Sequence, residues 1–226
     1  VDIAEELPTV ISLCSGYGGI ERGLELAGFN HRLIAFCEIE AYVQKLTLEK
    51  MEKGHMVSAP LWTNLKTFPA HIFRDKVDVM LAGYPCQPFS QAGRRGGKDD
   101  PRHLWPYIKE HIRTIRPVRC FFENVQGHIT LGLSTVISDL EELGYRTTWG
   151  IFSAEEVGAP HQRKRVFILA DAGSVDSAKI FFTERWAGKD SEIEEFNSNG
   201  IEWGAFPSRP GQEQYEWEEP RVLGNT

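Results

Sequence analysis

The chain of 226 residues has no apolar run long enough to cross a lipid bilayer, and its first residues show no basic-then-apolar leader pattern. A role away from membranes is therefore expected. Cysteine is scarce: the four residues, at positions 14, 37, 86 and 120, form neither a CxxC pair nor a dense framework. That spacing argues against a structural zinc site, and no metal is expected. It also points to a reducing, cytoplasmic compartment rather than a disulfide-stapled secreted fold. Internal repeats are missing too. So is any excess of positive charge, since the net charge is −7. The deficit is uneven. Residues 1–172 carry 20 Lys and Arg against 21 Asp and Glu, whereas residues 173–226 carry 5 against 11. The body is near neutral and can hold a local basic face, but the acidic tail is unsuited to phosphate.

What is present centres on Gly83-Tyr84-Pro85-Cys86-Gln87-Pro88-Phe89-Ser90. The preceding run, Val77 to Ala82, is apolar and β-prone, which predicts a buried strand that Gly83 ends. Pro85 and Pro88 fix φ on either side of Cys86, and neither can pair in a sheet. A cysteine on a stiffened loop at the carboxyl end of a parallel strand stands where α/β sheets hold ligands. The stretch alone favours a reactive thiol over a buried one.

Around it the chain reads as alternating strands and helices. Thr9–Leu13 predicts the first buried strand. It is followed by Cys14-Ser15-Gly16-Tyr17-Gly18-Gly19 and a helix over 20–27 stopped by Gly28. Strand, glycine turn and helix make a nucleotide-type cradle, although an ordinary tight turn is the competing reading. Arg32–Cys37 predicts a second strand ending at Glu38, about 20 residues past the glycines, where a carboxylate commonly accepts hydrogen bonds from ribose hydroxyls. A helix is expected over 41–53 and a looser region over 55–69. Another helix is expected over 104–116, then a strand at 118–122 ending in Glu123-Asn124-Val125. Glycine and polar residues at 126–134 lead to a helix over 135–143. Residues 147–152 and 166–170 predict a final hairpin-like pair, with Arg163 and Arg165 alternating onto one face at the start of its second strand. Residues 91–102 form a glycine-rich basic loop, and 173–226 an irregular acidic extension.

Four stretches in this order resemble the cytosine-5 DNA methyltransferase family: LCSGYGG at 13–19, GYPCQPFS at 83–90, ENV at 123–125 and QRKRVF at 162–167. The resemblance covers roughly residues 9–170. It implies a Rossmann-like class I fold that binds S-adenosylmethionine, a mostly parallel sheet with helices on both faces. It places the catalytic domain over 1–172 and double-stranded DNA as the partner. Cys86 is then the nucleophile that adds to cytosine carbon-6. Glu123 handles the proton at the ring nitrogen, Asn124 places the Glu123 loop, and Arg163 and Arg165 hold the base carbonyl and nearby phosphate. Leu13, Cys14, Ser15, Gly16, Gly18, Gly19, Glu38, Ile39, Asn64, Leu65, Gly83 and Pro85 are expected around the cofactor.

The chain departs from the family's pattern in four places. Ser12 stands for an acid, Cys14 for a Phe, Asn64 for an Asp that contacts the adenine amino group, and Ile39 offers only apolar contact. Three alternatives stay open: a tRNA cytosine-5 methyltransferase, an inactive cofactor-binding partner subunit, and an NAD-dependent oxidoreductase. The family reads its DNA site with a separate recognition region after QRKRVF, for which the 56 residues after Ala170 are too few. That function is expected from a second chain or a further region, in a setting such as restriction–modification.

Overall fold

The computed structural model describes residues 7–85 and 104–173. In chain order the elements are β1 (Thr9–Leu13), α1 (Gly19–Leu26), β2 (Arg32–Cys37), α2 (Ala41–Glu52), β3 (Leu61–Trp62), β4 (Val79–Ala82), α3 (Trp105–Ile115), β5 (Arg119–Val125), α4 (His128–Leu131), α5 (Leu133–Glu142), β6 (Arg146–Phe152) and β7 (Arg165–Asp171). All seven strands join one sheet of order β3-β2-β1-β4-β5-β7-β6. Neighbours from β3 to β5 run parallel, and β7 runs antiparallel to β5.

The apolar runs of β1 and β4 are explained by burial on both faces. Val10, Ile11, Leu13, Met80, Leu81 and Ala82 are all fully enclosed. Asp78 sets where these two strands meet, because its carboxylate accepts from the Thr9 N–H at 2.7 Å and from the Thr9 hydroxyl at 2.9 Å. On one face, Ile108, Ile112 and Ile115 of α3 and Leu133, Val136 and Leu140 of α5 build the larger core with Ile11, Met80, Phe122 and Ile168. On the other, Ile20 and Leu24 of α1 pack on Val10, Leu33, Phe36, Val79 and Leu81. Helices therefore cover both faces, as expected.

Three features differ from the sequence expectation. Residues 55–69 contain a short parallel strand, β3, whose two residues are too few to show a period. Residues 128–131 form α4, separated from α5 by Gly132 in an extended conformation (φ −173°). Arg163 does not lie on β7, which begins at Arg165. Its φ of 31° is left-handed rather than extended, so the alternation that would have put both arginines on one face does not apply.

The described residues up to Ile151, together with those from Arg165, form one compact unit. Residues 152–164 belong to another. Within that segment a 3-10 turn spans Glu155–Val157, and the Ala154 N–H donates to the Gln162 carbonyl at 2.8 Å.

Glu21, in the first turn of α1, is buried, and neither of its carboxyl oxygens has a hydrogen-bond partner. Burial pushes its carboxyl above the ordinary 4.5, only partly offset by the nearby Ser12 hydroxyl, the helix backbone and His31. The folded chain thus holds this proton more tightly than the unfolded one. Stability falls as pH rises from 4.5 through the folded value, and the full cost of the buried charge is present above it. Glu21→Gln is expected to raise the melting temperature at pH 7.5, with the gain shrinking towards pH 4. Thermal melts followed by circular dichroism check this, and equal melting temperatures for the two proteins at pH 7.5 would refute it.

Candidate active site

Because β1, β2, β4 and β5 are parallel neighbours, the residues after their carboxyl ends line up along one edge of the sheet. After β1 the chain turns through Cys14, Gly16 and Gly18, with φ of 51°, 53° and 79°. Two bonds hold this loop against the end of β2. The Ser15 N–H donates to the Cys37 carbonyl at 3.1 Å, and the Gly16 N–H donates to Glu38 Oε2 at 2.8 Å. Glu38 Oε1 accepts from the Ile39 and Glu40 N–H groups at 2.8 and 2.9 Å. Leu13 is sealed in the core beneath the loop, and Ile39 stands exposed beside it.

Leu65 is buried, so its side chain belongs to the core. Asn64 uses its carbonyl oxygen to cap the following 3-10 turn, accepting from the Lys66 N–H at 2.9 Å. That leaves its amide hydrogens to meet a ligand.

The residues present fit an adenosyl cofactor. The Ser15 hydroxyl is buried in the loop without a hydrogen-bond partner, and the two left-handed glycines open backbone to a ligand. The Glu38 oxygens retain lone pairs for hydroxyl donors.

Two strands further along, Glu123 sits at the end of β5. Its Oε1 accepts from Arg165 Nε at 2.6 Å. A Cβ placed on Gly83 would lie 3.7 Å from Glu123 Oε2 and 3.6 Å from the Cys14 carbonyl. The acid therefore stands against the strand end that leads to Cys86. Antiparallel β7 returns Arg165 to this edge, opposite Val125. Arg163 is exposed in the segment 152–164. Cys86 and the basic loop 91–102 lie outside the described residues; Pro85, the last described residue before them, is exposed.

Asn124 is buried and fixes the approach to the Pro-Cys loop, donating from Nδ2 to the Tyr84 carbonyl at 3.0 Å. The Tyr84 ring packs among Trp105, Phe122 and His128, and its hydroxyl lies 3.2 Å from His128 Nε2. Burial pulls His128 below the ordinary histidine value, so it stays neutral near pH 7. Tyr84 and His128 escaped the sequence reading because they are 44 residues apart and meet only through tertiary packing.

The described cysteines are unsuited to nucleophilic work. Burial, aided by Cys37 and Glu38, pushes the Cys14 thiol up to about 12. Burial and Glu38 do the same to Cys37, also to about 12, and Cys120 is raised by burial alone. At pH 8 a thiol of pKa about 12 is thiolate in roughly one molecule in ten thousand.

This sheet order, with a reversed seventh strand, a glycine loop after the first strand and an acid ending the second, defines a class I methyltransferase, a fold built to take S-adenosylmethionine. A family model described as C-5 cytosine-specific DNA methylase matches residues 8–202, and the chain belongs to that family. It is 32% identical over 193 residues to the type II methyltransferase M.BanI of Aneurinibacillus aneurinilyticus, covering 80% of this chain and 42% of that protein. It is 33% identical over 171 residues to M.NgoMIV of Neisseria gonorrhoeae, covering 72% and 51%. The chain thus spans about half the length of the curated relatives it matches. The crystal structure of S. pombe Dnmt2 methyltransferase shares the fold, with a TM-score of 0.62 and 23% identity over 77% of this chain and 55% of that one. A Spodoptera frugiperda DNMT2 mutant gives the same TM-score at 22% identity, over 74% and 51%.

Iodoacetamide at pH 8 is expected to leave Cys14, Cys37 and Cys120 unmodified in the folded chain and to label them only after unfolding. Peptide mass spectrometry reads this directly; rapid labelling of Cys14 in the folded chain would contradict it.

Proposed function

We propose that this chain is the catalytic part of an enzyme that methylates carbon-5 of a flipped-out cytosine in double-stranded DNA through a covalent Cys86 adduct. The observation that carries the reading is the Glu123 carboxylate, held by Arg165 beside Gly83, three residues before Cys86. Cytosine carbon-5 is a poor nucleophile until something adds at carbon-6. In this reading the Cys86 thiolate forms the bond to carbon-6 while ring nitrogen 3 takes up a proton that Glu123 supplies or shares. The electron pair of the broken double bond is then available at carbon-5. Arg165 holds the carboxyl group in place and faces the base carbonyl. Asn124 keeps Tyr84, and with it the approach to Cys86, in position. Bound against Leu13–Gly19, Glu38, Ile39, Asn64, Leu65, Gly83 and Pro85, S-adenosylmethionine supplies an electrophilic methyl group. Loss of the carbon-5 proton to solvent, with the proton on ring nitrogen 3 given back to Glu123, then re-forms the ring double bond and expels the Cys86 thiolate.

The target base must leave the helical stack, at a cost of a few kcal/mol. The arginines and lysine of the loop at 91–102 are suited to closing behind it. The catalytic domain in this reading is 1–172, with 173–226 an acidic extension. Because the relatives are about twice as long, recognition of the DNA site falls to a further region or a second chain. The type II relatives favour a restriction–modification setting in the cytoplasm. Among the described residues, no helix is long and apolar enough to cross a membrane.

The test is mechanism-based trapping. A random-sequence pool of duplex DNA carrying 5-fluorocytosine at every cytosine offers many target contexts at once, and fluorine cannot leave as a proton does. With S-adenosylmethionine present, the chain is expected to form an adduct that survives denaturing electrophoresis, and Cys86→Ala to abolish it. An adduct that persists in Cys86→Ala, or one formed with fluorinated tRNA and not with duplex DNA, would overturn the proposal.

A further inference from the structure

We infer that Trp62 forms the aromatic wall against which the adenine base of the cofactor stacks. The inference rests on reading the carboxyl edge as an S-adenosylmethionine site, and it begins from strand order. Across that edge the strands run β3-β2-β1-β4-β5, with neighbours about 4.8 Å apart. The reactive methyl group must approach the loop that follows β4, where Pro85 leads to Cys86. The ribose belongs at Glu38, after β2, and the loop after β1 lies between the two. A nucleoside anchored at β2 with its sulfonium arm reaching towards β4 must carry its base the opposite way, over β3.

β3 ends in Trp62. Its backbone is locked to the ribose anchor: Cys37 is its strand partner, and the Glu38 N–H donates to the Trp62 carbonyl at 2.9 Å. The side chain is 41% exposed, although a tryptophan is large enough to gain from burial. Its ring is nevertheless fixed. Nε1–H donates to the Thr67 hydroxyl at 3.2 Å, and that hydroxyl donates to the Asn64 carbonyl at 3.3 Å. A half-exposed indole held in this way presents an aromatic face at little entropic cost to a ligand.

The neighbouring groups suit a purine. Ile39, 65% exposed, offers an apolar contact from the end of β2, and Asn64 has amide hydrogens for a ring nitrogen. After β1 stands Cys14, which has no ring to stack. The aromatic contact is thereby left to the far side of the pocket, on the edge strand.

S-adenosylhomocysteine titrated into the chain tests this by calorimetry and by indole fluorescence. Trp62→Ala is expected to weaken binding about ten-fold. Trp62→Phe keeps an aromatic face, so it should retain affinity within about three-fold while showing a smaller fluorescence change than the unaltered chain, since five other tryptophans remain. Unchanged affinity in Trp62→Ala overturns the proposal, and so does a fluorescence change in Trp62→Phe as large as that of the unaltered chain, which also decides the matter if the alanine variant fails to fold. Each result leaves the cofactor site itself intact, provided that Glu38→Ala weakens binding in the same assay. Failure of the unaltered chain to bind S-adenosylhomocysteine would instead overturn the site reading and this inference together.

Discussion

The cradle at the carboxyl edge depends on the Glu38 carboxylate. One oxygen accepts from Gly16 in the loop after β1, and the other from Ile39 and Glu40 at the start of the next segment. An ionised acceptor makes stronger hydrogen bonds than a neutral one. These bonds hold a loop that is otherwise costly, since Cys14 occupies the left-handed region without being glycine. The same carboxylate is the group assigned to the ribose. The residue proposed to hold the ribose thus also shapes the loop.

The second constraint is parallel pairing. Parallel strands return by crossover, so each ends at the same edge and hands its next residues to one line of space. The glycine loop, Glu38, Gly83 and Glu123 share that line for this reason alone. β7 reaches it differently. By running antiparallel to β5 it begins where β5 ends, which brings Arg165 back to Glu123 across 42 residues of sequence. Burial then acts on the described cysteines: Cys14, Cys37 and Cys120 are held as thiols by desolvation.

Family membership is shown by the sequence. The chain carries the family's motifs through QRKRVF, yet it spans about half of the relatives it matches. The chemistry proposed for it is that of the family's catalytic apparatus. The acidic composition of 173–226 is unsuited to phosphate contacts, which need Lys and Arg.

Much of this was legible in the sequence. β1 and β2 are signalled by apolar runs that burial on both faces demands, and the glycine turn and Glu38 follow from the chemistry of a nucleotide cradle. The Pro-Cys stretch announces itself through its two prolines. Tertiary structure alone decided the rest. β3 has two residues and no period, so only its pairing with β2 reveals it. The strand order that places β7 between β5 and β6 has no local signal, and neither has the contact between Tyr84 and His128. Arg163 shows the limit most clearly. Two residues before Arg165, it would share its face if the strand began earlier, but a left-handed φ ends the extended geometry on which that periodicity depends. Sequence carries what is local or periodic; contacts between distant segments, and the backbone angles that packing imposes, exist only once the chain has folded.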